Sequence, residues 1–238
     1  YNNLFPSLVM GYHNKLWSHS LSLSSRITRP TFRQLNNNSY YNGGYSYQLG
    51  NPSLKPAIDY SAQWQSSYRF VNLSLAYEYD KNITLNNMYE SADEPQVIIS
   101  TYDNFNHINY LRFNLNVQKK IDLWNPVLSV GLSQPFFKTT FLGKEINHNK
   151  AKFYVSADQY VTLPAKYNFE INYYYCTGGN LGIITIKPYQ ELNLSLTKSF
   201  INDRLDVSLE ATDLFHKLSY REDGYYTNIH LMQTEGCQ

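Results

Sequence analysis

Long apolar runs are absent from this chain of 238 residues. No window approaches the roughly 20 consecutive apolar residues that a membrane-spanning helix needs. Cysteine is scarce, since only Cys176 and Cys237 occur, and this excludes a disulfide framework and a cysteine-rich metal site. The net charge is +1, so the composition gives no sign of a nucleic-acid partner.

Motifs of catalysis are also missing. The sequence has no Gly-x-Ser-x-Gly, no His-Glu-x-x-His and no glycine loop of the phosphate-binding kind. Its six histidines are scattered, without an i, i+2 pair on one strand face: His13, His19, His107, His148, His216 and His230. We therefore predict no catalytic residues, no metal site and no cofactor, and we expect the protein not to be an enzyme.

What the chain does have is a two-residue alternation. Residues 71–79 and 111–118 place Leu, Phe, Val and Tyr at every second position, with Asn, Ser, Gln, Glu and Arg between them. Residues 167–175 and 205–211 repeat the pattern. Successive side chains of a strand point to opposite faces, so each segment has one apolar and one polar face. The pattern predicts an all-β fold, an antiparallel up-and-down transmembrane β-barrel with lipid outside and water inside.

The segments and their connections specify this barrel further. Short connections alternate with long ones, as periplasmic turns and extracellular loops do, and a long protruding hairpin is expected around 93–95. We predict a partial barrel of about 11 strands. They are placed at 4–12, 18–28, 57–68, 71–89, 96–120, 127–142, 151–162, 167–176, 188–199, 204–215 and 226–232.

The alternation also assigns residues to faces. We expect the convex, lipid-facing side to carry Leu21, Leu23, Leu73, Leu75, Phe113, Leu115, Leu128, Val130, Leu194, Leu196, Leu205 and Val207. The concave side should carry Asn72, Ser74, Arg112, Asn114, Asn193 and Asp206. By the same parity the lumen-facing charged residues are Arg26, Glu78, Arg112, Lys152, Glu170, Asp206 and Glu210, because a basic group on the lipid side would cost ~2–4 kcal/mol near the midplane. These charges form either a solvated wall or a surface for transport or plug docking.

The longest irregular segment, 29–56, is the candidate ligand-binding loop. Loops longer than ~12–15 residues are usually functional or disordered. Arginines can bind an acidic ligand and aromatic rings can stack on sugars, which makes Arg29, Arg33, Tyr40, Tyr41, Tyr45 and Tyr47 the candidate ligand-binding residues. The alternative is a surface cover in which the tyrosines pack the loop against itself.

Three motifs carry a resemblance to a known family. They are Leu4-Phe5-Pro6-Ser7-Leu8, Arg26-Ile27-Thr28-Arg29-Pro30 and Gly50-Asn51-Pro52-Ser53-Leu54-Lys55-Pro56. In this order they resemble the barrel of TonB-dependent outer-membrane receptors, above all the Bacteroidetes group loosely related to SusC-like transporters. Thr212-Asp213-Leu214-Phe215 looks like that family's late Asn-Asp-Leu-Phe motif, with Thr212 in place of Asn and Ala57 in place of the usual Glu.

The resemblance implies a piece of a larger protein of the bacterial cell outer membrane. A full receptor has a plug domain and 22 strands, so residues 1–238 are expected to form one barrel segment without the plug and the final strand. The implied function is part of a receptor that takes up a nutrient of the siderophore, cobalamin, oligosaccharide or peptide class. Implied partners are outer-membrane lipid, a surface lipoprotein, and the plug and TonB through the N-terminal part. The alternatives are a soluble all-β ligand- or carbohydrate-binding module and an outer-membrane barrel enzyme.

Overall fold

Strands make up almost all of the computed structural model, which describes residues 5–202 and 204–236. The strands are β1 (Ser7–His13), β2 (Trp17–Thr28), β3 (Tyr40–Gly43), β4 (Ser46–Gln48), β5 (Ala57–Tyr68), β6 (Val71–Glu90), β7 (Ile98–Gln118), β8 (Trp124–Phe136), β9 (Lys138–Phe141), β10 (Lys144–Asn147), β11 (Lys152–Leu163), β12 (Tyr167–Cys176), β13 (Gly179–Leu181), β14 (Ile184–Ile186), β15 (Tyr189–Phe200), β16 (Leu205–Ala211), β17 (Ser219–Tyr225) and β18 (His230–Gly236). One turn of α-helix, α1 (Phe32–Leu35), and a 3-10 turn at Pro164–Lys166 complete the elements. Within the described ranges, no helix has the length and apolar character required to cross a membrane.

Ten strands of the described chain form a wall in which each strand pairs antiparallel with the next wall strand along the sequence. Their order is β1-β2-β5-β6-β7-β8-β11-β12-β15-β16. This order confirms the predicted antiparallel up-and-down fold. The small strands β3 and β4 attach to the same sheet through β7.

Connections differ at the two ends of the wall. The β1–β2, β5–β6, β7–β8 and β11–β12 turns are short, whereas long insertions follow β2, β8 and β12 at the opposite end. At that end β6 and β7, of 20 and 21 residues, pair along nearly their whole length and extend past the wall. This extension is the protruding hairpin that the sequence predicted.

The eleventh predicted wall strand, 226–232, is not in the wall. Instead β17 and β18 form a hairpin that joins β13 and β14 in a separate four-stranded sheet of the described chain, which we call the cap sheet. Ile229 and Leu231 pack against a buried apolar cluster and do not face outward. The chain leaves the wall after β16 because Asp213, at φ 46, turns it and accepts hydrogen bonds from the backbone N–H groups of Lys217 and Leu218.

Register separates the wall into two faces. One continuous row of cross-strand partners is entirely apolar: Met10, Leu21, Trp64, Leu75, Phe113, Leu132 and Phe153. A neighbouring row on the other side is mostly polar: Ser20, Gln65, Ser74, Asn114, Gly131 and Tyr154. The twelve residues predicted for the lipid-facing side all keep at least part of their surface exposed. This exposed apolar face is inconsistent with the dry core of a soluble sandwich.

The apolar face has the height of a membrane. Trp17 and Tyr68 pair at its short-turn end, with ring centroids 4.3 Å apart. A second row of cross-strand partners lies ten residues farther along the strands. It runs from Ile27 and Ile58 to Lys81 and His107. Ten residues span about 33 Å along a strand, and a barrel tilt near 40° reduces this to about 25 Å across the bilayer. The two rows are thus separated by the thickness of an apolar band.

The two-residue alternation of β6 breaks near Asn82, which has a φ of 52. Beyond this residue, apolar side chains lie on the side that is polar in the wall. Below it Ile108 lies on the polar face, opposite Asp80. Above it Ile83 and its partner Phe105 pack in the same cluster as Ile108. Residues three apart on a strand share a face only if the alternation breaks, so the left-handed Asn82 marks the border between wall and extended hairpin.

A matched pair of substitutions tests the face assignment. Leu75 lies four residues above the Val71 row, near the middle of the apolar band, and Ser74 is its neighbour on the polar face. We expect Leu75→Arg to lower the free energy of unfolding in lipid vesicles by about 2–4 kcal/mol and Ser74→Arg to change it little. Heat-dependent gel mobility after refolding measures both. Equal effects would contradict the assignment.

Candidate functional site

The polar face collects the charged residues of the wall. Pairing places Arg112 in a row with Ser133 and Lys152, and Glu170 in a row with Ser195 and Glu210. Together with the strand alternation, it places all seven predicted lumen residues on this face: Arg26, Glu78, Arg112, Lys152, Glu170, Asp206 and Glu210. That this face lines a lumen stays a prediction.

Charges of both signs meet on β2, β5, β6 and β7. Glu78 accepts a hydrogen bond from Arg112 Nε at 2.9 Å, and the Arg112 guanidinium lies 4.7 Å from the centroid of the Tyr110 ring. Arg26 is the direct partner of Asp59, which is in turn the partner of Asp80. A hollow of about 610 Å³ is lined in part by Arg26, Asp59, Glu78 and Asp80.

The wall charges beyond this group are more dispersed. Lys152, Glu170, Asp206 and Glu210 form no ion pair with each other in the described part of the chain. Mixed and partly exposed charges suit water, a polar solute or a polar docking surface. Among the described residues no group of three or more His, Cys, Asp or Glu has the arrangement of a metal site.

The polar face carries an aromatic ladder that was not predicted from the sequence. The rings of Tyr154, Tyr174 and Tyr189 follow one another at centroid distances of 6.0 and 5.6 Å. Tyr154 lies over Gly131, where an added Cβ would come within 2.1 Å of its ring, and its hydroxyl donates to Asn114 at 2.9 Å. A glycine inside a strand was the available signal, because it marks a close approach of another group.

Segment 29–56 contains three short regular elements, α1, β3 and β4, joined by irregular residues. Thr31 and Gln34 cap α1 reciprocally, and β3 and β4 form a hairpin whose second strand runs parallel to β7. Arg33 donates to Gln48 at 2.7 Å, and Gln48 donates to the Tyr102 hydroxyl on β7 at 3.0 Å. The candidate ligand residue Arg33 is therefore part of the internal hydrogen-bond network of the loop.

The Asn-Pro motif fastens this loop to the extended hairpin. Asn51 donates to the Tyr102 carbonyl at 2.9 Å and to Asp103 at 3.1 Å, and its own side-chain oxygen accepts from the Ser53 N–H. The backbone of Lys55 exchanges two hydrogen bonds with the Asn104 side chain. The motif thus holds the loop on β7.

The loop tyrosines form the outer surface of this assembly. Tyr41 and Tyr45 are 64% and 65% exposed, and Tyr40 and Tyr47 are exposed to a lesser degree. Tyr41 and Tyr47 pair across the hairpin with ring centroids 5.5 Å apart. Arg29 is exposed and makes no hydrogen bond or ion pair with the described residues. The four tyrosines therefore share one exposed surface. Arg33 instead belongs to the hydrogen bonds inside the loop, and Arg29 does not take part in them.

The cap sheet docks on the extended hairpin as well. Ile183 and Tyr226 are buried with Ile108 and Tyr110 in one apolar cluster. Asn87 donates to Thr227 at 2.8 Å. The β6–β7 hairpin consequently positions both the tyrosine loop and the cap sheet.

A family and a solved fold match this arrangement. Residues 1–235 match the model of the outer membrane protein beta-barrel family, so the chain belongs to that family and is a protein of the outer membrane. Two mutants of the ferric enterobactin receptor of Pseudomonas aeruginosa, one solved with enterobactin, share the fold. Their TM-scores are 0.59 and 0.57 at 14% identity, over 92% and 95% of this chain. No curated protein matches the sequence.

The chain is shorter than the two receptors. It covers 35% and 37% of the two receptor chains, so it spans about a third of their length. At 14% identity the likeness shows the fold alone.

We expect Asn51→Ala to loosen the loop. The substitution removes two donated hydrogen bonds and leaves the Ser53 N–H without its acceptor, at a cost of about 1–3 kcal/mol. Limited proteolysis on intact cells should then cleave 29–56 faster. Asn37→Ala, an exposed position of the same loop, is the control. Equal cleavage of the two variants would show that Asn51 is not the anchor.

Acidic pH should open the β9–β10 insertion. Burial lowers the pKa of His148 below its ordinary value of 6.5, and its ring is hydrogen-bonded to Thr139 at 2.7 Å. A lowered folded-state pKa gives stability that is complete above 6.5 and is lost as pH falls toward the folded value. Amide hydrogen exchange of 138–147 should accelerate between about pH 7 and pH 5. His148→Gln should abolish this dependence and the exposed His216→Gln should keep it; the opposite pattern would contradict the assignment.

Proposed function

We propose that this chain forms part of the wall and extracellular surface of a receptor that imports a nutrient across the outer membrane. The observation that carries the proposal is the fold match to a ferric enterobactin receptor over more than nine-tenths of the chain, together with the polar face of the wall. Energy coupling by TonB, a plug domain and the remaining strands belong to the proposal as parts supplied by other regions of a longer protein. The motifs that resemble the Bacteroidetes group support this finer placement.

The polar face has the properties that such a passage requires. Polar and charged side chains of both signs cover it, so water can solvate it and a polar plug surface can bind it. The Glu78–Arg112 pair is partly exposed, and such a pair contributes at most about 1 kcal/mol to stability. We propose that these charges contact the plug or the passing solute.

The tyrosine loop is the proposed place of first contact with the ligand. Its four rings are exposed at the long-loop end, and Asn51 and Gln48 hold their backbone on β7. A rigid scaffold that presents aromatic side chains is typical of binding sites on loops. The proposed nutrient belongs to the siderophore, cobalamin, oligosaccharide or peptide class.

Uptake in the full-length receptor tests the ligand role of the loop. The quadruple variant Tyr40→Ala, Tyr41→Ala, Tyr45→Ala, Tyr47→Ala should lose about tenfold or more in uptake at normal surface expression, since stacking contributes about 1–3 kcal/mol per ring in other complexes. The control is Leu142→Ala, an exposed residue between β9 and β10. Unchanged uptake of the quadruple variant would leave the loop as surface cover.

A further inference from the structure

We propose that the apolar face carries a binding site for a single phosphate-bearing lipid, with its acyl chain in a groove between β2 and β6 and its phosphate at Lys81 and His107. This site lies on the outside of the wall and is independent of nutrient transport. It follows from a groove, from two basic side chains that have no partner among the described residues, and from their height in the membrane.

The groove lies on the apolar face. Ala62 is the direct partner of Leu23 on β2 and of Tyr77 on β6, and its small side chain leaves a depression between larger neighbours. The walls are formed by Leu8, Tyr60, Tyr77 and Tyr79. The volume is about 390 Å³, within the range of roughly 300–1,000 Å³ that ligand pockets occupy. Its lining is mainly apolar, which suits a hydrocarbon chain.

Two basic groups stand at one end of the groove. The His107 ring stacks on Tyr79, a groove residue, with centroids 5.5 Å apart and planes 24° from parallel. Lys81 is the direct cross-strand partner of His107, and both are exposed. Side chains directly opposite each other in a ladder lie about 5 Å apart at Cβ, so one phosphate can contact both.

Neither basic group has an acidic partner in the described chain. Lys81 and His107 make no ion pair or hydrogen bond among these residues. Asp80, the nearest carboxylate in sequence, is on the opposite face of β6, and Lys138 is bound to Glu145 at 2.7 Å. The Lys81 ammonium group carries a positive charge and an N–H of the His107 ring can donate a hydrogen bond, so the two groups together are complementary to a phosphate.

The height of the pair fits a lipid headgroup. Lys81 and His107 lie about 25 Å above the Trp17–Tyr68 row, at the long-loop border of the apolar band. Ala62 is four residues nearer the middle of the membrane than Ile58, which belongs to the same row as Lys81. The separation is about 13 Å along the strand. It runs from the membrane border toward the middle of the membrane, as an acyl chain does from its headgroup. Headgroup and chain sites are thus in the order that a bound lipid requires.

Titration of the purified protein with two lipids tests the proposal. The probes are dimyristoyl phosphatidic acid, whose headgroup is a bare phosphate, and dimyristoyl phosphatidylcholine, in a zwitterionic detergent, with bound lipid counted by native mass spectrometry. We expect saturable binding of one phosphatidic acid, about tenfold tighter than phosphatidylcholine. Excess inorganic phosphate should not displace it, because the groove holds the chain. Displacement by inorganic phosphate would reduce the site to an anion site and overturn the lipid assignment.

Variants separate the headgroup from the chain. Lys81→Gln with His107→Gln should abolish the preference for phosphatidic acid, so that the two lipids bind with similar affinity. Ala62→Trp should fill the groove and weaken both lipids. Lys144→Gln, which removes an exposed cation of β10, should change neither. Heat-dependent gel mobility verifies that each variant is folded. Equal binding of the two lipids by the parent protein, or retained preference in the folded double variant, would show that Lys81 and His107 serve only as general contacts with headgroups and would overturn the proposal.

Discussion

The register of the antiparallel ladder is the constraint on which the rest of this structure depends. Each wall strand satisfies its backbone groups with its neighbours, and a shift of one residue would turn every side chain of a strand to the other face. Leu21, Trp64 and Leu75 share one row, and Ser20, Gln65 and Ser74 share the next. The chain can therefore present a mainly apolar band to lipid and a charged surface to water with a mean hydropathy of only −0.48.

The extension of β6 and β7 beyond the wall is the second organising feature. At Asn82 the alternation breaks, and apolar side chains such as Ile83 and Leu85 turn to the side on which Asp80 lies below. This change creates the buried cluster on which the cap sheet packs. The β7 strand also pairs with β4 and receives the Asn51 side chain. One hairpin thus fixes the loops that carry the proposed ligand surface.

Much of the wall was predictable from the sequence, because alternation is local and every wall strand shows it. The face on which each charged residue of the wall lies follows from the same parity. The end of the chain was not predictable in this way. Residues 226–232 have strand propensity, but the turn at Asp213 and the packing of Ile229 and Leu231 against a cluster distant in sequence place them outside the wall. The break at Asn82 and the contact of Tyr154 with Gly131 also depend on tertiary structure, although an asparagine tolerant of positive φ and a glycine in a strand are visible signals.

The most direct test of the central claim is a spin-label scan of residues 71–85 in lipid vesicles, with both Cys176 and Cys237 replaced. The measurement compares collision of each label with membrane-soluble oxygen and with a water-soluble nickel chelate. We expect oxygen contact at Leu73, Leu75 and Tyr77 and nickel contact at Asn72, Ser74 and Glu78. The alternation should end at Asn82. A scan without two-residue alternation, or with the two sets exchanged, would contradict the register and the faces derived from it.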